Sequence, residues 1–132
     1  MKRRSYLTAM LAMFAPVKGV FAQTAAKPAP IVLYCDISVD AAHESEMLKN
    51  FHTIFKPAAE KYPGYIDVKL LKLRTVIGGS APANVNYRFQ LTYQSEEMRQ
   101  KWIHSDIHQK VWPTVENTLA SKNYSTLLFD SK

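Results

Sequence analysis

Eleven residues, Trp102-Ile103-His104-Ser105-Asp106-Ile107-His108-Gln109-Lys110-Val111-Trp112, hold both tryptophans and two of the four histidines of this 132-residue chain. Indole faces stack on flat aromatic or quinonoid rings, and an imidazole can give a proton to, or take one from, a phenolic oxygen. The stretch therefore reads as one wall of a pocket for a small aromatic or hydrophobic molecule. His108 and His104 are its candidate acid–base groups, and Trp102 and Trp112 its binding surfaces. Tyr87, Asn86, Arg88 and His52 are further candidates for contact with the bound molecule. His104 and His108 lie four apart and could approach one metal on an unbroken helix. No third ligand is marked by spacing, so no metal is expected.

Several familiar chemistries have no signature here. The first strand is not followed by a glycine-rich dinucleotide loop, and there is neither a phosphate-binding loop nor a nucleophile elbow. Glu44, Glu46, Glu96 and Glu97 read as solvated or capping charges rather than an acid–base pair. No cofactor is expected. Oxidation without one requires a substrate that forms a stable anion and passes an electron to oxygen. The protein then has to supply a dry cavity, orientation and a proton acceptor.

The N-terminus reads as an address rather than as fold. Lys2, Arg3 and Arg4 precede a mostly apolar run from Tyr6 to Val20, and Val20-Phe21-Ala22 suits cleavage before Gln23. Arg3-Arg4-Ser5-Tyr6-Leu7 resembles a twin-arginine signal. Residues 1–22 are thus expected to be a signal peptide, 23–30 a flexible tether and 31–132 the domain, exported to the periplasm or beyond the cell. The run is too short and interrupted to span a membrane stably after processing. The chain has 17 Lys and Arg against 11 Asp and Glu, and four of the 17 lie in the leader, so the remainder is 13 against 11, or +2. Basicity belongs to the leader, and no nucleic-acid partner is expected. The single cysteine, Cys35, allows no internal disulfide and reads as a buried small hydrophobe.

The elements that must position the pocket follow from periodicity. Ile31 to Val39 is strand-like, with Asp40 as a helix cap. From Ala41 to about Lys61, Met47, Leu48, Phe51, Ile54, Phe55, Ala58 and Ala59 recur at three and four residues, which predicts a helix interrupted at Pro57. Tyr62-Pro63-Gly64 ends it. A second strand is predicted over Tyr65 to Ile77 with a bulge near Leu70, or with both faces covered. A loop follows over residues 78–84, then a cleanly alternating strand from Val85 to Tyr93. Ser95 caps a helix through Trp102. A break at Ser105, a short helix to Trp112, a new helix at Pro113 and a last strand from Tyr124 to Phe129 complete the chain.

Strand, helix, strand, strand, helix, strand is the order of the split βαβ unit. It predicts an α+β, ferredoxin-like, four-stranded antiparallel sheet with its helices on one face. The bare face needs a cover, and stacking two sheets into a dimeric α/β barrel supplies it, so a homodimer is expected.

Tyr62-Pro63-Gly64-Tyr65, the aromatic alternating strand, and Ser95 to Trp102 followed by Ser105-Asp106 and His108 occur in an order that covers nearly all of residues 31–129. In this the chain resembles the antibiotic biosynthesis monooxygenase family of the dimeric ferredoxin-like α/β-barrel superfamily. That resemblance implies a cofactor-independent monooxygenase acting on an aromatic, phenolic or quinone-like substrate. Small-molecule binding without catalysis on the same scaffold is one alternative. Haem degradation is another: Trp102 matches that branch's tryptophan, but Trp112 stands where its haem-ligating histidine would be. Cys35 and Asp36 stand where its first-strand asparagine would be.

Overall fold

The computed structural model describes residues 29–132. The expected leader, and the tether up to residue 28, lie outside the described residues. The elements are β1 (Ile31–Ile37), α1 (Ala41–Asn50), a π-turn (Phe51–Phe55), α2 (Lys56–Glu60), β2 (Tyr65–Lys72), β3 (Tyr87–Tyr93), α3 (Glu96–Ile103), α4 (Asp106–Glu116) and β4 (Ser125–Asp130). The strands form one antiparallel sheet in the order β2-β3-β1-β4. This is the ferredoxin-like α+β arrangement, with the helices packed on one face.

Strand alternation sorts the two faces. Ile31, Leu33, Cys35 and Ile37 of β1 and Tyr87, Phe89, Leu91 and Tyr93 of β3 are buried beneath the helices. The helices contribute Met47, Phe51, Phe55, Ala59, Trp102, Val111 and Val115 to the same core. On the opposite, open face stand Tyr34, Asp36, Arg88, Leu71, Leu127 and Phe129, which follow from the strand registers.

The first helical segment shows how the core is aimed. Met47, Phe51, Phe55 and Ala59 are buried at a strict spacing of four. An α-helix turns about 100° per residue, so each four-residue step would drift by about 40°. The π-turn, in which the Lys56 N–H reaches back five residues to the Phe51 carbonyl, slows that rotation. Phe51 and Phe55 both stay over Phe89, with ring centroids 6.0 and 5.3 Å away. The interruption expected at Pro57 takes this form, with the proline near the start of α2.

Four sequence expectations are corrected. β1 ends at Ile37 rather than Val39, because Asn86 clamps Val39 instead: Val39 N–H donates to Asn86 Oδ1, and Asn86 Nδ2 donates to the Val39 carbonyl, each at 2.8 Å. β2 stops at Lys72, opposite Tyr87, and one further backbone bond, from the Leu73 N–H to the Asn86 carbonyl at 2.8 Å, closes the ladder before the loop. Its irregularity lies between Tyr65 and Asp67, not near Leu70. Finally, α4 runs through Pro113 without a new start. That proline removes only the bond to the carbonyl of exposed Gln109, while Val111 and Val115, one turn apart, bury the same side and keep the helix going.

Two local devices seat α3 and α4. Gly64 has φ +91°, and a Cβ there would meet Met98 Cβ at 2.6 Å, so only glycine lets α3 approach the end of α2 this closely. Ser105 is the expected break. Its Oγ donates to the Trp102 carbonyl at 2.6 Å and accepts from the His108 N–H at 3.2 Å, closing one helix and capping the next.

Candidate functional site

A cavity of about 150 Å³ lies between the helix face of the sheet and α3 and α4. Leu33, Cys35, Phe89 and Leu91 form its floor; Trp102, His108, Trp112 and Phe55 form its walls; Arg99 and Tyr124 stand at its border. Ser105 sets its shape, because one hydroxyl joins the backbone of Trp102 to that of His108. The His108 ring meets Trp102 edge-on at 5.1 Å and lies nearly parallel to Trp112 at 6.5 Å. Phe55 touches both tryptophans, at 5.8 and 5.6 Å.

The electrostatics of this cavity are those of a neutral site. Burial holds the His108 imidazole below its ordinary pKa of 6.5, the charge of His104 adds to that effect, and Glu116 opposes it. Burial pushes the Cys35 thiol up to about 11, so it stays protonated at neutral pH, with Sγ 3.7 Å from Thr126 Oγ1. Trp112 Nε1 donates to the Tyr124 hydroxyl at 3.2 Å, and that hydroxyl donates to Glu116 Oε2 at 2.7 Å. Burial and Glu116 raise the Tyr124 phenol well above its usual range. Arg99 is tied to Glu96 by two bonds of 2.7 and 2.8 Å, and this pairing lowers the Glu96 carboxyl.

Three buried side-chain polar atoms lack a partner among the described residues: Tyr93 Oη, away from this lining, and two on residues that line it. Trp102 Nε1 and His108 Nδ1 are sealed from solvent and have no hydrogen-bond partner. A buried polar group left unpaired costs about 1–3 kcal/mol.

The other candidates read from sequence lie elsewhere. His104 is exposed, its Nδ1 2.9 Å from the Gln100 carbonyl oxygen at the end of α3. His52 is exposed and packs edge-on against Phe51. Arg88 sits on the open face, where Nε and Nη2 donate to both oxygens of Asp36 at 2.6 and 2.9 Å. Asn86 is the clamp on Val39. Tyr87 shares the helix face but lies outside the lining; its hydroxyl donates to Glu44, which also pairs with Lys72 at 2.6 Å. Burial pushes the Tyr87 phenol up to about 12. Sequence reading missed Phe55, Arg99 and Tyr124. Arg99 was open to discovery from its place three residues before Trp102 on one helix, whereas Phe55 needed the π-turn to be known.

A larger cleft, about 560 Å³, opens at the strand ends among Asp36, Ser38, Asp40, Asn84, Ser121 and Asn123. Its one nearly buried acid, Asp36, is already spent on Arg88, and neither histidine nor tryptophan reaches it. No cluster of three or more His, Cys, Asp or Glu suited to a metal occurs among the described residues. Among those residues no helix is long and apolar enough to cross a membrane.

Solved structures share this fold. A candidate antibiotic biosynthesis monooxygenase from Caulobacter crescentus superposes with a TM-score of 0.64 at 15% identity, over 85% of this chain and 98% of its own. A conserved protein from Methanosarcina mazei gives 0.62 at 13%, over 80% and 96%. A dimeric ferredoxin-like protein of unknown function from Jannaschia gives 0.60 at 13%, over 78% and 98%. At these identities the likeness is one of fold. No family model and no curated protein matches the chain.

Proposed function

We propose that this protein is a cofactor-independent monooxygenase of single-ring, electron-rich phenols, with His108 as the proton acceptor. The observation that carries the reading is His108, its imidazole kept neutral by burial, in the lining of a cavity walled by Trp102 and Trp112. A cavity of about 150 Å³ accepts benzene, so one ring fits where a polycycle or haem does not.

The chemistry balances without a bound group. His108 takes the phenolic proton, and the resulting anion passes one electron to dioxygen. The two radicals join at a ring carbon, forming a C–O bond. His108 returns its proton to the outer peroxide oxygen, and loss of the ring carbon's proton with cleavage of the O–O bond then releases water and leaves a carbonyl, so phenol and dioxygen become quinone and water. Trp102, Trp112 and Phe55 hold the ring and exclude bulk water. The candidate monooxygenase from Caulobacter crescentus, sharing the fold, supports the class.

The reading includes assembly and place. The open sheet face exposes Leu71, Leu127 and Phe129, about half of whose surface remains in water, which supports a two-fold dimer through that face. The leader-like residues 1–22 support an exported protein.

The test is oxygen uptake by the processed protein with electron-rich single-ring phenols, compared with His108→Phe. Uptake above the spontaneous rate that falls about 100-fold or more in the variant is expected, as for loss of a general base. No uptake with any such phenol, or equal rates in the variant, would refute the reading.

A further inference from the structure

We propose that Tyr124 is a positioning residue of the ring-binding cavity: its hydroxyl holds the Trp112 indole at one angle and so fixes how a bound ring lies. This role rests on the cavity chosen above, not on the reaction assigned to it. Trp112 and Tyr124 both line that cavity, and Trp112 Nε1 donates to the Tyr124 hydroxyl at 3.2 Å. The same hydroxyl donates to Glu116 Oε2 at 2.7 Å.

The two tryptophan walls are held by different means. Trp102 is fully buried, and its Nε1 finds no partner, so close packing alone locks it. Trp112 is only half-buried. It meets Phe55 and Phe89 at ring-centroid distances of 5.6 and 5.4 Å, and apolar contact of this kind is attractive but weakly directional. A hydrogen bond has a direction. Turning the indole over would break the bond from Nε1 to Tyr124, so that bond selects one of the two faces that Trp112 could offer a ligand.

The acceptor is itself tethered on two sides. Tyr124 immediately precedes β4, whose first residue, Ser125, is paired with Asp36 of β1, so its backbone is tied to the sheet. Glu116 stands four residues after Trp112 on α4, which puts both on one side of that helix. The chain from Trp112 through Tyr124 to Glu116 therefore links α4, a wall of the cavity, to the sheet that forms its floor. It ends on a carboxylate, and a charged acceptor strengthens its own bond and polarises the one before it. Burial and Glu116 keep the Tyr124 phenol protonated well beyond neutral pH. Its hydroxyl thus retains a proton for Glu116 and a lone pair for the indole.

The test is a double-mutant cycle on the full processed protein. Tyr124→Phe keeps a ring and loses the hydroxyl, and Trp112→Phe keeps a ring and loses the N–H, so the cycle isolates the bond. With two tryptophans in the chain, the indole N–H signal missing from Trp112→Phe is that of Trp112. In Tyr124→Phe that signal should exchange with water about 5-fold faster or more, as for loss of one hydrogen bond. Fluorine NMR of 4-fluorophenol under argon then reads the bound ring, whose signal is displaced by the ring current of the indole beside it. The displacement should fall to about half or less in Tyr124→Phe, and the same substitution made in Trp112→Phe should change it no further. A wild-type displacement in Tyr124→Phe, an equal change in both backgrounds, or no binding of 4-fluorophenol would overturn the proposal. Oxygen uptake is measured alongside, where kcat should fall about 10-fold in Tyr124→Phe while KM stays within ~3-fold, the pattern of a misplaced but bound ring. The expected fluorine result without uptake in the wild type would sink the monooxygenase reading and leave the role of Tyr124 standing. Wild-type uptake that Tyr124→Phe retains in full would do the reverse.

Discussion

On the open face of the sheet, Asp36 and Arg88 close a two-bond ion pair and Arg88 lies over the Tyr34 ring at 4.7 Å. On the helix face, the Trp102 and His108 nitrogens remain unpaired. Both regions contain residues that sequence alone marks as candidates for binding. The difference lies in what the fold has already done with them. A guanidinium bound to its neighbour's carboxylate has little left to offer a ligand, whereas a sealed and unpaired nitrogen is kept at a cost in stability.

Four experiments test that contrast, in order of expected effect. Trp102→Ala should lower unfolding stability by about 3–5 kcal/mol, the usual range for emptying so large a buried site. Chemical denaturation would check it, and a loss below ~1 kcal/mol would mean that the cavity wall carries little packing. Arg88→Met should lose about 1–3 kcal/mol, because Asp36, only 8% exposed, is left without its partner. Its phenol binding should stay at the wild-type level, and a loss of that binding would erase the distinction between the faces.

The third experiment has the opposite sign. His108→Phe should be more stable than wild type by about 1–2 kcal/mol, since an unpaired polar atom gives way to an apolar ring of similar shape. Activity should vanish in the same variant. A destabilised His108→Phe would show that Nδ1 is satisfied in solution.

The smallest effect concerns pH. The folded-state pKa of His108 lies below its ordinary 6.5, so the unfolded chain binds the proton more readily. The corresponding stability is complete above 6.5 and is lost as pH falls through the lowered value. Between pH ~7 and ~5, wild type should therefore lose Tm that His108→Phe retains. Parallel melting curves across that range would contradict the depressed pKa.

Much of this was legible in the chain because the signals were local. The alternation from Tyr87 to Tyr93, the cap at Ser95 and the break at Ser105 each depend on a few neighbouring residues, and from them follow the fold and the wall containing Trp102, His108 and Trp112. Asn86, Arg88 and Tyr87 were different. Their partners, Val39, Asp36 and Glu44, lie more than forty residues away, and only tertiary pairing assigns each to a clamp, an ion pair or a hydrogen bond. Periodicity could not separate His104 from His108, because the turn at Ser105 sends one ring outward and the other inward. Pro113 misled for a related reason: its missing N–H faces an exposed carbonyl, so burial on the far side of α4 prevails.

The wide turn from Phe51 to Phe55 also bears on how such a protein could diversify. It holds one residue more than an ordinary helix would need to join α1 to α2. Loss of a single codon within the turn would leave a continuous helix whose two halves keep their places, because the wide turn already absorbs the extra residue. The change would fall on the side chains of the turn itself, where the spacing from Phe51 to Phe55 would shorten to three. One small genetic event could therefore reshape the wall that braces the tryptophans while sparing every residue of α3 and α4, a short route from one substrate size to another.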